Sequence, residues 1–186
     1  MKLGDIMKYL IVSDIHGSMY YTNKIKSLIK KENPDKVILL GDLYYHGPRN
    51  PLPKEYNPKM VCEYFNSIKK NLITIKGNCD AEVDEMISDF KLKKSYSFLH
   101  NDKVVFLTHG HKHNKDNFPK TDFDIMFYGH FHIGFIGNVD GKIIANPGSI
   151  SLPKNNAPNS YIVMDDKSII LKDLKGNILN EQEINK

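Results

Sequence analysis

Continuous apolar runs alternate with segments of helical periodicity in the first half of the chain. Runs at residues 9–12, 37–40 and 72–75 are typical of strands that are buried on both faces of a sheet. Two intervening segments repeat their apolar residues at helical spacing, with Ser18 suited to cap the first helix and Pro58 to the first turn of the second. A short acidic helix is expected after the third run. This half therefore predicts a βαβαβα order.

Paired strands dominate the second half of the chain. Three pairs of apolar runs flank short turn sequences of the kind that close β-hairpins: residues 96–99 with 103–107, 135–139 with 143–144, and 161–164 with 169–171. A separate run at 125–128 follows a polar segment, 112–123, which we expect to be a loop or a single helical turn. Residues 146–149 predict a rigid turn. The pattern indicates an α/β fold with one mixed sheet or two packed sheets, mainly antiparallel in this half.

Side chains able to bind metal ions follow five of the predicted strands. They are Asp14 and His16, Asp42, Asn78, His109, and His130 and His132. Because alternate residues of an extended chain point the same way, each Asp-x-His or His-x-His pair is expected to face one site. Taken alone, Asp42 fits a helix cap or turn equally well, and Asn78 fits a turn. Seven oxygen and nitrogen ligands together suggest one site with more than one metal ion.

Composition narrows the class of protein. With 186 residues, 40% hydrophobic and 26% charged, residues 1–186 are expected to form a single globular domain. The net charge is +4, but the lysines are scattered and do not form a stripe for nucleic acid. The sequence contains no apolar stretch of the roughly 20 residues that span a bilayer.

The N-terminus and the cysteines indicate where in the cell the protein is found. The first residues lack the apolar region of a signal peptide, and Met7 is an alternative start that would make residues 1–7 an N-terminal extension. The two cysteines, Cys62 and Cys79, provide no disulfide framework, and Cys62 is expected to pack within a helix. These features predict a cytoplasmic protein.

The order of the motifs resembles the calcineurin-like metallophosphoesterase superfamily: Asp-x-His, Gly-Asp, Gly-Asn, His-Gly and Gly-His-x-His. The segments 41–50 and 77–80 are most similar to the small bacterial YfcE-type phosphodiesterases. The resemblance implies a sandwich of two mixed β-sheets flanked by helices. It also implies a hydrolase that cleaves a small phosphodiester by attack of a hydroxide bridging two divalent metal ions.

The same resemblance implies a binuclear metal centre. One ion would be bound by Asp14, His16 and His132, the other by Asn78, His109 and His130, and both by a bridging Asp42. Ligands of this kind, without thiolate, suit Mn²⁺, Fe²⁺, Co²⁺, Ni²⁺ or Zn²⁺, and we expect two Mn²⁺ ions. Catalysis is assigned to Asp42, Asn78, Cys79 and His109.

Three further residues and Cys79 are candidates for substrate contacts. His46 and Arg49, in the long loop 43–57, are placed to contact phosphoryl oxygens, although this loop fits equally well a segment that closes on itself or on another subunit. His111 is a third candidate. Cys79 replaces a histidine that protonates the leaving group in many members of the superfamily. Since a thiol is a poorer acid near neutral pH, aryl phosphodiesters are the expected substrates.

Two alternatives to a phosphodiesterase remain open from the sequence. The same metal centre could serve a phosphomonoesterase, and the same fold occurs in a non-catalytic scaffold of the retromer complex. All seven predicted ligands are present, which favours an enzyme. Tyr44, Tyr45, Leu52 and Tyr56 are apolar loop residues that we predict to be exposed. They indicate a homo-oligomer, either a dimer or a tetramer, although the same side chains fit the lining of a substrate pocket equally well.

Overall fold

A computed structural model describes residues 7–184 of the chain. Its helices are α1 (Met19–Glu32), α2 (Pro58–Ser67) and α3 (Glu82–Ile87), with a 3₁₀ turn at Lys69–Asn71. Its strands are β1 (Tyr9–Val12), β2 (Lys36–Leu39), β3 (Leu72–Thr74), β4 (Ser95–His100), β5 (Lys103–Thr108), β6 (Ile125–Phe127), β7 (Gly134–Val139), β8 (Lys142–Pro147), β9 (Ser160–Met164), β10 (Ser168–Asp173) and β11 (Ile178–Glu183). No helix within residues 7–184 has the length and apolar character needed to cross a membrane.

The strands form two mixed sheets. The six-stranded sheet has the order β11-β10-β9-β1-β2-β3, in which β1, β2 and β3 are parallel and β9 runs antiparallel to β1. The five-stranded sheet has the order β4-β5-β6-β8-β7, with β5, β6 and β8 parallel and the edge strands β4 and β7 antiparallel. The predicted α/β class with two mixed sheets is confirmed. The second half is less antiparallel than predicted, since β6 pairs in parallel on both sides.

Alternating side chains of β1 explain how the sheets and helices pack. Leu10 and Val12 point to the helix side, where they join α1 and α2 in one buried cluster. Tyr9 and Ile11 point the other way, into the apolar layer between the two sheets. Every residue of β1 is therefore buried, as the continuous apolar run predicts. The outer face of the five-stranded sheet is covered by Phe118 and Phe123 of a loop instead of a helix.

The structure differs from the predicted elements at two places. Strand β11 was not predicted, because its sequence is largely polar and exposed; it forms through pairing with β10. Strand β8 runs through Pro147, where a turn was predicted. Segment 112–123 is a loop, one of the two forms predicted for it. The predicted short acidic helix is present as α3, and its apolar side chains face solvent, with Met86 84% exposed. Cys62 is buried within α2, as predicted, and residues 1–6 of the predicted extension lie outside the described residues.

Candidate metal centre

The predicted ligands lie together at one edge of both sheets. Asp14 and Asp42 follow the parallel strands β1 and β2, and Asn78 lies beyond β3. His109 follows β5, and the loop after β6 carries the two remaining histidines. The carboxyl ends of parallel strands meet at the same edge of a sheet, which brings residues from distant parts of the chain to one place.

Backbone conformation at these residues differs from the predicted one. Both β1 and β6 end before the ligands, and five of the ligands have left-handed backbone: Asp14, His16, Asp42, His130 and His132, with φ of 56°, 52°, 54°, 69° and 61°. The paired ligands do face one site, as predicted, but the reason given for it, strand alternation, was wrong. Left-handed backbone is uncommon outside glycine, and here it is maintained by hydrogen bonds between loops, such as the one from His16 N–H to the Asp42 carbonyl at 2.9 Å.

The first group of ligand atoms surrounds Asp14. Its Oδ1 lies 3.3 Å from His132 Nε2 and 3.8 Å from His16 Nε2, and the two imidazole nitrogens are 3.2 Å apart. All three side chains are buried. Three candidate ligand atoms thus converge within a volume that suits one metal ion.

The second group surrounds His109. Its Nε2 lies 3.3 Å from Asp42 Oδ2 and 3.1 Å from Asn78 Oδ1. Asp42 Oδ2 is also 3.8 Å from His16 Nε2, so this carboxylate lies between the two groups. The ring of His130 is more loosely placed, with its centroid 5.2 Å from that of His109.

Hydrogen bonds at the opposite ring nitrogens fix how the three buried imidazoles face the site. Each Nδ1 is bonded to a backbone carbonyl: His16 to Tyr45 at 2.8 Å, His109 to Leu40 at 2.7 Å, and His132 to Leu152 at 2.5 Å. Because a carbonyl oxygen can only accept, each Nδ1 carries the proton and each Nε2 of a neutral ring presents a lone pair. This arrangement is typical of histidines that bind metal.

The polar atoms of the site are therefore mostly acceptors that face one another. Two Nε2 lone pairs cannot hydrogen bond across 3.2 Å without a proton or a cation between them. Asp14 Oδ1 is buried and has no hydrogen-bond partner in the part of the chain that the structure describes. A buried set of carboxylate, amide and imidazole acceptors fits divalent cations, and we conclude that these residues suit a metal centre.

Electrostatics in the site favour positive charge between the carboxylates. Although burial alone raises the pKa of Asp14, the neighbouring imidazoles of His132, His109 and His16 lower it. Burial acts against a charged His109, yet Asp42 raises the pKa of that imidazole to about 9. Protons and metal ions compete for the same lone pairs. The carboxylates thus attract whichever cation is available.

Residues outside the predicted set hold the ligands in place. The Asp80 carboxylate accepts hydrogen bonds from the backbone N–H groups of Asp42 and Leu43, both at 2.8 Å, and of Gly77 at 2.7 Å. A Cβ at Gly77 would lie 2.0 Å from Asp42 Oδ1, so only glycine fits there. Asp80 lies in the motif at 77–80, which is the signal that could have identified it.

Two serines anchor the loop after β1. The hydroxyls of Ser149 and Ser151 both donate to the Asp14 carbonyl at 2.8 Å. They lie more than 130 positions away along the chain. No sequence pattern could have linked them to Asp14.

A cleft of about 880 Å³ opens over the candidate metal ligands. Arg49, Cys79 and Lys154 line it together with His130 and His132. A Cys79 thiol in this wall lies close to the ligand atoms of His16 and Asp42. Burial, with the charge of Asp42, raises the pKa of the Cys79 thiol to about 12, so the thiol stays protonated near neutral pH.

The other predicted substrate contacts lie apart from this cleft. The ring of His46 packs against Tyr45 and Tyr56, with centroids 4.8 and 5.4 Å away. His111 is exposed and lines a second cavity, its ring 5.5 Å from that of His109. Tyr44, predicted to be exposed, is only 2% exposed, and its hydroxyl is hydrogen-bonded to Ser88 at 2.8 Å.

Comparisons with known proteins agree with this arrangement. The sequence model of the calcineurin-like phosphoesterase superfamily domain matches residues 7–168. The chain is 38% identical over 164 residues to "Phosphodiesterase YfcE" of Escherichia coli K12, covering 87% of this chain and 89% of that protein. It is 26% identical over 189 residues to "Probable metallophosphoesterase YsnB" of Bacillus subtilis, covering 94% and 96%. The solved structure of Yfce, described as a phosphoesterase from E. coli, superimposes with a TM-score of 0.93 at 35% identity, covering 96% of this chain and all of that one.

Proposed function

The chain belongs to the calcineurin-like phosphoesterase superfamily, and we propose that within this family of hydrolases it is a metal-dependent phosphodiesterase for small phosphodiesters. One observation carries the proposal: tethered imidazoles converge on two buried carboxylates, a set of acceptors that is complete only with cations. The preference for diesters is supported by the similarity to an E. coli protein named as a phosphodiesterase.

We assign two divalent ions to the centre. One would be held by Asp14, His16 and His132, the other by Asn78, His109 and His130, with Asp42 shared between them. The position of Asp42 between the two groups supports this division. Mn²⁺ is the proposed native ion, and Fe²⁺, Co²⁺, Ni²⁺ or Zn²⁺ would suit the same oxygen and imidazole ligands.

When bound, such ions supply Lewis-acid stabilisation of phosphoryl oxygens and lower the pKa of water. The chain's own residues would position the substrate around them. Asp42 is held in place by the Cys79 backbone N–H at 2.8 Å, and Arg49 and Lys154 supply positive charge in the cleft. The Cys79 thiol holds its proton too tightly to assist a poor leaving group, which favours aryl esters.

Hydrolysis of two chromogenic substrates tests this function. Metal-free protein is titrated with Mn²⁺, Ni²⁺, Mg²⁺ or Zn²⁺, and release of p-nitrophenolate is compared for bis(p-nitrophenyl) phosphate and p-nitrophenyl phosphate. We expect metal-dependent turnover of the diester and little of the monoester. Preference for the monoester would make the protein a phosphomonoesterase. Absence of turnover with two ions bound per chain would favour a scaffold.

A matched pair of variants ties the activity to the site. Asp14→Ala removes a proposed ligand, whereas Asp122→Asn changes a carboxylate whose side chain is 96% exposed and lies before β6, at the opposite end of the sheet from the ligands. We expect the first variant to lose both metal binding and turnover, and the second to retain them. Metal content measured by mass spectrometry checks the stoichiometry of two ions per chain.

Two further proposals concern the cellular location and the oligomeric state of the protein. We propose a cytoplasmic location, supported by two free cysteines. We also propose a homo-oligomer, a dimer or a tetramer, supported by exposed Tyr45 and by Leu52, which is 64% exposed. Analytical ultracentrifugation of the metal-loaded protein measures the oligomeric state, and a monomer across micromolar concentrations would contradict this proposal.

A further inference from the structure

A second cavity, of about 470 Å³, adjoins the metal centre through Asn78. Its walls come from the loop after β3, the start of β4, and the loop that follows β5. Asn78 lines both this cavity and the metal cleft, and its Oδ1 lies 3.1 Å from His109 Nε2. A group bound here would thus be one side chain away from the reacting centre.

The unpaired charged side chains that line this second cavity are positive. Lys76, Lys94 and Lys112 line it, and Lys76 is paired with Glu85. Lys94 and Lys112 are exposed and have no ion-pair partner among residues 7–184. Lysine ammonium groups bind phosphate as compact point charges. Two unpaired ammonium groups are thus available to an anionic ligand.

The one acidic residue in the walls does not neutralise this charge at the surface. Asp80 is buried, and its two carboxylate oxygens accept three backbone N–H groups. Neutral hydrogen-bond donors complete the walls, namely the hydroxyls of Ser95 and Thr108 and the imidazole of His111. The cavity combines cations with donors and falls within the volume range of small-ligand sites.

We propose that this cavity binds a second anionic group of the substrate, so that the preferred phosphodiester carries a phosphate on one of its two alcohol components. The proposal rests on the proposed phosphodiesterase function and narrows its substrate class. The reacting phosphoryl group would occupy the metal cleft, and the second phosphate would lie beyond Asn78 against Lys94 and Lys112. It also gives His111, which lies outside the metal cleft, a place in substrate binding.

Two chromogenic esters that differ only in the second phosphate test the proposal in the Mn²⁺-loaded protein. They are the p-nitrophenyl ester of thymidine 5′-monophosphate and the same ester with an added 3′-phosphate. We expect the added phosphate to lower KM about tenfold with little change in kcat, the effect of one good charged contact. Equal KM values for the two esters would overturn the proposal.

Charge-reversal variants locate the effect. Lys94→Glu/Lys112→Glu should abolish the preference for the 3′-phosphorylated ester over the parent ester. The control Lys103→Glu/Lys167→Glu makes the same change in net charge at the start of β5 and in the β9–β10 turn, away from the cavity. A loss of preference in both variants would show a general charge effect and overturn the assignment to this cavity.

A binding measurement separates this inference from the function on which it rests. If neither ester is hydrolysed, the phosphodiesterase proposal fails. Titration of metal-free protein with inorganic phosphate, followed by amide NMR shifts at residues 94–95 and 111–113, then tests the anion site alone. Shifts that disappear in Lys94→Glu/Lys112→Glu would support the site. Absence of shifts in the unmutated protein would overturn it.

Discussion

Glu32 and Asp14 are both buried carboxylates, one at the end of α1 and the other after β1. Glu32, with a side chain 6% exposed, accepts hydrogen bonds from the Tyr161 hydroxyl at 2.9 Å and from Lys172 at 3.1 Å, and pairs with Lys8 at 3.2 Å. Asp14 has one oxygen bonded to the His130 N–H at 3.0 Å, and the other has no hydrogen-bond partner among residues 7–184. The chain itself neutralises the first carboxylate and not the second.

This contrast separates a structural buried charge from a functional one. A carboxylate removed from water is costly unless opposite charge and hydrogen bonds compensate it. At Glu32 two lysines provide that compensation, so this carboxylate needs no bound ion. At Asp14 and Asp42 the neighbours are tethered imidazoles whose lone pairs also require a cation. The metal centre is therefore the region where the folded chain leaves buried acceptors that only a bound cation can compensate.

The largest expected effect comes from removing one charge at the centre. Asp42→Asn keeps the size of the side chain but removes the shared charge, so kcat for bis(p-nitrophenyl) phosphate should fall by about 10³-fold or more. Glu32→Gln is the matched control, and it should retain nearly full kcat. Steady-state kinetics at saturating Mn²⁺ measures both. Comparable losses in the two variants would break the distinction between the two carboxylates.

Glu32, in contrast, should matter for stability and not for activity. Glu32→Ala leaves Lys8 and Lys172 without their shared partner and should lower the free energy of unfolding by about 2–4 kcal/mol. Glu82→Ala, at an exposed position in α3, should change it by less than about 0.5 kcal/mol. Urea unfolding of the metal-free proteins measures these changes. A neutral Glu32→Ala would show that the lysines contribute little.

Mn²⁺ should stabilise the folded protein only by binding at the metal centre. Mn²⁺ at about 100 times its Kd should raise the free energy of unfolding by about 2.7 kcal/mol, because the ion binds the folded state alone. Asp14→Asn should abolish this gain, while Glu32→Gln should keep it. Thermal unfolding with and without Mn²⁺ gives the comparison. A gain that survives in Asp14→Asn would place the ion elsewhere.

The sequence predicts the position of the ligands along the chain better than their local geometry. Apolar runs mark where β1, β2 and β6 end, and a candidate ligand follows each end within three positions. Strand alternation, by contrast, does not bring Asp14 and His16 together. Left-handed backbone does, and tertiary contacts such as the Ser149 hydroxyl on the Asp14 carbonyl maintain it. Contacts between residues so distant along the chain are not encoded in any local pattern.

The remaining errors have the same origin. Tyr44 lies in a polar loop and was predicted to be exposed, yet it packs in the core because the loop folds back over α2 and α3. Strand β11 has little apolar character, and its partner β10 provides the hydrogen bonds that form it. Where tertiary structure outweighs local preference, the pattern of a single segment is not sufficient.

The smallest expected effect is the contribution of Glu32 to the dependence of stability on pH. Burial by itself raises the pKa of this carboxyl, but hydrogen bonds from Lys172, Tyr161 and Lys8 bring the net pKa below its ordinary value of 4.5. A lowered pKa in the folded state means that protons bind the unfolded state more tightly. The stability that Glu32 contributes is then present above pH 4.5 and is lost as the pH falls below that value. The pKa values of Asp14 and Asp42 are also lowered, but the effects of these two residues cancel when metal-free protein is compared with metal-free Glu32→Gln. The difference in urea midpoint between these two proteins should therefore shrink between pH 7 and pH 3.5, and a constant difference would mean that Glu32 is not held in its charged form.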